Sequence, residues 1–198
     1  GYGRVNYRFN LGPSHYLTPN PAVVESWSGP FMMHASLRPS DFTDGLSHTV
    51  GTSERLQGDW ISDSFRHGGD YNLLSFAYDD FVDERSTVAL CASADLHRRR
   101  HDSRGGESWF FSGAHFTSYN HVLTPNPKIA DCSLYAQREY LHDRLLRNGV
   151  FSATSTHPGG VNVTRMDGGV RFARDSITLS LWKALATRSG REVIPEDW

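Results

Sequence analysis

The chain has 198 residues, 38% of them apolar and 21% charged, with 20 Lys and Arg against 22 Asp and Glu for a net charge of -2. That length supports one core rather than two full domains, and the near-neutral balance supplies no field that would draw the protein onto nucleic acid or anionic lipid. The longest stretches free of charge and Pro, such as 86–94, reach about half of the roughly 20 residues that a membrane helix needs.

The 18 Gly and 9 Pro predict many turns in a loop-rich, sheet-containing domain. No repeat or long Ser/Gly/Pro run divides it, so residues 1–198 are expected to form a single domain. Pro13, Pro19, Pro21, Pro30 and Pro39 interrupt both periodicities over the first forty residues, which are expected to be extended and irregular. Residues 48–53 follow the turn Thr43-Asp44-Gly45 with β-branched residues and predict a strand. Strands are also expected over 86–91 and over the aromatic run 108–111, which Gly113 ends.

From 133 to 147, Leu134, Tyr135, Leu141, Leu145 and Leu146 recur at spacings that fit one helical face, with Asn148-Gly149 as a stop. Residues 160–166 and 169–174 alternate in polarity about Asp167-Gly168, the sign of a two-residue type I′ hairpin. That turn would set Val163 opposite Phe172 and Arg165 opposite Val170, with Val161, Val163, Val170 and Phe172 on the apolar face. A helix over 176–188 carries Ile177, Leu181 and Leu185 at i, i+4, i+8, with Ser176 as candidate N-cap and Gly190 beyond its end. It is expected to cover the apolar face of the hairpin.

Three stretches carry a resemblance. His157-Pro158-Gly159-Gly160, with nine residues between His157 and Asp167-Gly168, resembles the H-x9-DG signature that ends a bacterial prepilin-like family of unknown function. Asp44-Gly45-Leu46-Ser47-His48-Thr49, leading to Glu54, is similar to that family's D-G-T-S-N-T motif, departing from it at Leu46 and His48. Tyr119-Asn120-His121, followed by Pro125-Asn126, is similar to its Y-N-H-x-x-x-P-N stretch.

The resemblance implies an α+β fold, a pilin-like or pseudopilin-like globular head with an antiparallel sheet. It implies display outside the cytoplasmic membrane, at the cell surface, extracellularly or in the periplasm. Partners would be other pilin-like subunits or type II secretion machinery, and the full-length chain would be membrane-tethered by a long apolar helix. The sequence as given starts at Gly1 without such a helix, which is therefore expected to lie outside these residues.

Cys91 and Cys132 have no metal-ligand spacing and by themselves allow either a disulfide or two free thiols. An exported head favours the Cys91–Cys132 disulfide, which would close a loop of about 40 residues and contribute about 3 to 4 kcal/mol on the chain-entropy model.

Candidate chemistry is sparse. Asp79, Asp80, Asp83 and Glu84 lie in a carboxylate-rich stretch that offers oxygen ligands to calcium, although no D-x-[DN]-x-[DN]-G loop is present; a solvated acidic surface is the alternative. His157 and Asp167, at opposite ends of one strand, would stand roughly 30 Å apart, so they are expected to set the two ends of the hairpin rather than share a site. The basic run 97–104 reads as an exposed loop or an anion contact. Trp109, Phe110, Phe111, Phe116 and Tyr119 with His115 and His121 could floor a sugar or small-ligand surface, or pack a core.

No G-x-S-x-G elbow or H-E-x-x-H occurs, and Ser47-His48 beside Asp44 is too local for a triad. No catalytic residue is assigned. The function expected is an extracellular head with a structural, secretion-related or surface-recognition role, with a structural calcium ion as a candidate cofactor. The alternative is a metal-dependent hydrolase of an ester, lactone or glycoside that gathers at least two of His48, His115, His121 and His157 with a carboxylate in one cleft.

Overall fold

A computed structural model describes residues 3–16, 28–32, 35–76, 83–96, 101–136 and 148–198. In chain order these form β1 (Tyr7–Asn10), β2 (Val50–Glu54), β3 (Tyr71–Phe76), α1 (Glu84–Ala92), β4 (His101–Asp102), β5 (Ser118–Tyr119), β6 (Cys132–Ala136), β7 (Asn148–Val150), β8 (Gly160–Arg165), β9 (Val170–Arg174) and α2 (Leu179–Ala184). The fold is α+β and loop-rich. One sheet has the order β5-β1-β2-β8-β9 and the other β4-β3-β6-β7. Each is mixed: β1 pairs with β5 and β3 with β6 in parallel, and the other pairs are antiparallel. Among the described residues no helix is long and apolar enough to cross a membrane.

The main core joins Val50, Val161, Val163 and Ala173 of the five-stranded sheet to Trp182 and Leu185 at the C-terminal helix, with Tyr71, Tyr119 and Phe151 between the sheets. A second cluster surrounds the Cys91–Cys132 disulfide with Val122, Leu134 and Val150, and so ties α1 to the four-stranded sheet.

Several expected elements differ from those observed. Residues 86–91 are helical, not extended. Asp83 caps α1 by accepting the Ser86 N–H at 2.9 Å, and the i, i+4 pair Thr87 and Cys91 supplies its buried face. Cap and tertiary contact outweigh the β-branched composition. Residues 133–136 belong to β6, not to a helix, because neighbours on both sides hydrogen-bond them into the sheet interior; Asn148-Gly149 is part of β7 rather than a helix stop. Leu141, Leu145 and Leu146 lie outside the described residues.

Residues 108–111 form no strand and bend over 109–111, since the Ser108 hydroxyl accepts the Phe110 N–H at 3.2 Å and closes a local turn. In the N-terminal stretch expected to be irregular, β1 precedes the first proline, Pro13, and is free to pair.

The hairpin forms as expected but one residue out of the expected register. Val163 faces Arg171 and Thr164 faces Val170. The Arg165 N–H donates to Gly169 O at 2.7 Å and the Gly168 N–H to Arg165 O at 3.0 Å, and positive φ falls on Gly168 (87°) but not on Asp167. The connection is therefore a three-residue turn ending in a glycine bulge, not a two-residue I′ turn. A slip of one residue exchanges the faces of β9. Ala173 is buried at 2% exposure, while Val170 and Phe172 stand at 67% and 43%.

The helix that covers the hairpin is shorter than expected, and Thr178 caps it in place of Ser176. Its apolar spacing holds, with Leu185 buried and Ile177 and Leu181 packed against the core.

The two registers make opposite forecasts for β9. Val170→Ser should change unfolding free energy by less than about 0.5 kcal/mol, whereas Ala173→Asp should cost about 3 kcal/mol or more by burying an unpaired carboxylate. Urea denaturation of both variants checks this, and the reverse ranking would restore the two-residue turn.

Candidate functional site

A helix leaves its last four carbonyls without partners, and α2 is short enough for that deficit to dominate its C-terminal end. The turn that follows takes two of them, since the Ala186 and Thr187 N–H groups donate to Lys183 O and Ala184 O at 3.0 and 3.2 Å, and the sheet side takes the others together with the next two carbonyls of the chain. His121 Nδ1 meets Trp182 O at 2.6 Å, the Val50 N–H donates to Leu185 O at 2.8 Å, Asn10 Nδ2 reaches Ala186 O at 3.3 Å, and the Thr49 hydroxyl donates to Thr187 O at 3.1 Å. β1, β2 and the end of β5 thus form a socket for the helix.

His121 is the centre of that socket. It is fully buried, and its ring stacks on Trp182 with centroids 3.7 Å apart and planes 16° from parallel. A carbonyl only accepts, so Nδ1 carries the proton and Nε2 accepts the Tyr119 hydroxyl at 2.9 Å. Burial pushes the imidazole pKa from 6.5 down to about 3, against the opposing bond to Trp182 O.

The other motif residues act in the same way on other segments. Asp44 accepts the Arg191 N–H (2.7 Å), the Gly190 N–H (2.7 Å) and the Thr187 hydroxyl (3.0 Å), fixing the chain beyond α2. Gly45 beside it takes a φ of 94°. Asn120 donates to Gly149 O at 2.8 Å and accepts the Phe151 N–H at 3.1 Å, so one side chain extends the pairing of β7. Asp167 accepts the Gly169 N–H at 2.9 Å and lies 3.3 Å from Arg165 Nη2, which shapes the hairpin turn with Gly168.

Glu54 and His157 are brought together. Glu54 Oε2 accepts the Asn162 N–H at 2.8 Å, Oε1 accepts Asn162 Nδ2 and the Tyr7 hydroxyl at 3.2 Å each, and His157 Nε2 lies 3.2 Å from Oε1. Burial raises the carboxyl pKa, but the bonds from Asn162 and Ser155 and the His157 imidazole outweigh it and hold the group below its ordinary value. Ser155, His157 and Glu54 are triad residue types. Here, however, the His157 backbone N–H donates to Ser155 Oγ at 3.2 Å, so the cluster clamps the start of β8 onto the end of β2. Asn126 completes the clamp from a positive φ of 48°, accepting the Ser155 N–H at 2.8 Å and donating to Asp175 Oδ1 at 2.8 Å.

The remaining candidates are dispersed. Asp83 caps α1 and Glu84 pairs with Lys183, while Asp79 and Asp80 lie outside the described residues. Among the described residues no group of three or more His, Cys, Asp or Glu is placed to hold a metal. His48 Nδ1 lies 3.1 Å from Asp44 O, and His115 stacks on Tyr71 at 4.6 Å; with His121 on Trp182 and His157 on Glu54, each histidine serves a different partner. In the basic run, residues 97–100 lie outside the described set, His101 sits in β4 and Arg104 pairs with Asp102 at 2.9 Å.

The aromatic run divides: Tyr119 is core, whereas Trp109 and Phe110 are 64% and 69% exposed. The latter two, with Phe9, Phe31, Met32 and Met166, line an open groove of about 480 Å³.

The sequence alone assigns no role to Asn10, Arg55 or Asp131. Polar residues inside alternating or irregular stretches were the available signal, but each binds a partner far away in the chain.

A family model described as "Protein of unknown function (DUF1559)" matches residues 2–180. No curated protein and no solved structure matches the chain.

Between pH 6.5 and about 3 the unfolded chain protonates His121 and the folded chain does not, so this residue makes stability fall as acid is added. Asp70 opposes it: burial raises its pKa from 3.8 to about 6, so its contribution is lost as pH rises through that window. His121→Asn should therefore flatten the acid-side fall in denaturation midpoints, and Asp70→Asn should steepen it. Separately, Glu54→Ala leaves the Asn162 N–H without its acceptor and should cost about 1 to 3 kcal/mol, whereas His157→Ala, at an exposed ion pair, should cost no more than about 1 kcal/mol; urea titrations measure both.

Proposed function

The chain belongs to the DUF1559 family of proteins of unknown function, and from that premise we propose that it serves as an extracytoplasmic, pseudopilin-like head whose work is structural, secretion-related or surface recognition. One observation carries this reading: the motif residues Asp44, Glu54, Asn120, His121 and Asp167 spend their hydrogen-bonding groups on the fold itself. Chemistry would need such groups aimed at a substrate. Among the described residues the groove at Trp109 and Phe110 faces solvent, an apolar surface suited to contact rather than to bond making.

The Cys91–Cys132 disulfide supports an oxidising compartment outside the cytoplasm. Other pilin-like subunits or secretion machinery are the partners proposed. The hydrolase alternative requires two histidines and a carboxylate in one cleft, and the separate partners of His48, His115, His121 and His157 count against it.

Cell fractionation followed by alkylation and mass measurement tests the proposal. The expected result is protein outside the cytoplasm with Cys91 and Cys132 linked and without turnover on ester, lactone or glycoside substrates. Cytoplasmic protein with two free thiols, or turnover abolished by His157→Ala, would overturn it.

A further inference from the structure

Two arginines stand on the inner side of the five-stranded sheet. Arg8 in β1 faces Ser53 in β2. The Arg55 N–H donates to Asn6 O at 2.7 Å and carries the same ladder one pair past Glu54. Arg8 and Arg55 are thus diagonal neighbours on one face, with Cα atoms roughly 7 to 8 Å apart. Both are buried, at 0% and 1% exposure.

Asp131, itself 2% exposed, pairs with Arg55 Nη2 and also accepts the Ser152 N–H at 2.9 and 3.1 Å. Arg55 Nε donates to Ser152 O at 3.1 Å, and Arg8 Nη2 to Leu56 O at 3.2 Å. There the acceptors end. Arg8 Nε and Nη1, and Arg55 Nη1, have no hydrogen-bond partner among the described residues. Of the other carboxylates, Asp70 Oδ2 accepts the Arg66 N–H at 2.7 Å while its buried Oδ1 has no hydrogen-bond partner among the described residues, and Asp102 pairs with Arg104.

A guanidinium keeps its charge in a protein. Among the described residues Asp131 is the one carboxylate in ion-pair contact with either group, which leaves the Arg8 charge and several donors without a direct partner, a costly state. Water would supply acceptors but no charge. The cover over Arg8 is tight, since a Cβ on Gly106 would lie 2.6 Å from Arg8 Nη2 and 2.4 Å from Val5 O, which excludes a bulky ligand. We propose that a small inorganic anion of the size and charge of chloride is bound between the guanidinium groups of Arg8 and Arg55. It completes the charge balance of the space between the sheets and is a structural ligand of the folded head.

Thermal unfolding at constant ionic strength, with chloride or bromide replacing gluconate, tests this together with crystals grown in bromide. The expected result is a saturating rise in Tm of about 5 °C for the halides. Arg8→Met should lose that rise, and an anomalous bromide peak should lie within hydrogen-bonding reach of Arg8 and Arg55. Equal Tm values in all three anions, with no bromide peak at the two arginines, would overturn the proposal. If Arg8→Met does not fold, the bromide crystal of the unaltered chain decides.

Discussion

The carbonyls at and just beyond the C-terminal end of α2 must find donors that the helix itself does not provide, and that requirement organises the molecule. Trp182 O, Leu185 O, Ala186 O and Thr187 O are taken by His121, Val50, Asn10 and Thr49 respectively. These four come from three parts of the chain, all remote from α2 in sequence. The helix also delivers Trp182 and Leu185 to the core, so polar capture and apolar burial act at one place. Stacking of His121 on Trp182 joins the two, because the ring that bonds the carbonyl also covers the indole. Burying a neutral imidazole with both nitrogens bonded is inexpensive; burying it charged is not.

The same logic explains why the recognisable motifs are polar although they lie in a fold held by apolar contacts. The two sheets are small and the connections long. Each long connection costs closure entropy, and a side chain with two or three fixed hydrogen bonds holds a loop in a single geometry where an apolar contact would tolerate sliding. Asp44 does this for the chain after α2, Asn120 for β7, and Glu54 with Asn126 for the start of β8. Residue types that suggest catalysis in a linear sequence here serve as backbone surrogates. The disulfide performs the corresponding task for α1, which lies outside the five-stranded sheet.

Legibility followed the range of the interaction. The hairpin and its covering helix were readable because turn, alternation and helical spacing are local. The register was not, since Asp167-Gly168 is compatible with both a two-residue turn and a turn closed by a glycine bulge. The choice is made by tertiary bonds from the Met166 and Asp167 N–H groups to Thr49 O and Leu46 O. Residues 86–91 look like a strand by composition and are a helix by capping and by the need to present Cys91 to Cys132. Leu134 fits a helical period and an interior strand equally well, and only β3 and β7 decide. For the site, Glu54 and His157 were both visible as motif members. Their meeting was not, because it depends on β2 pairing with β8.

His121 is a neutral structural imidazole rather than an acid, a base or a ligand. Its own titration, followed by NMR of the ring resonances from pH 8 downward, tests that most directly. The account predicts ring shifts of the Nδ1–H tautomer that stay constant for as long as the chain remains folded, through pH 6.5 and toward the depressed value of about 3. A ring that titrates near pH 6.5 while the rest of the spectrum remains native would contradict it.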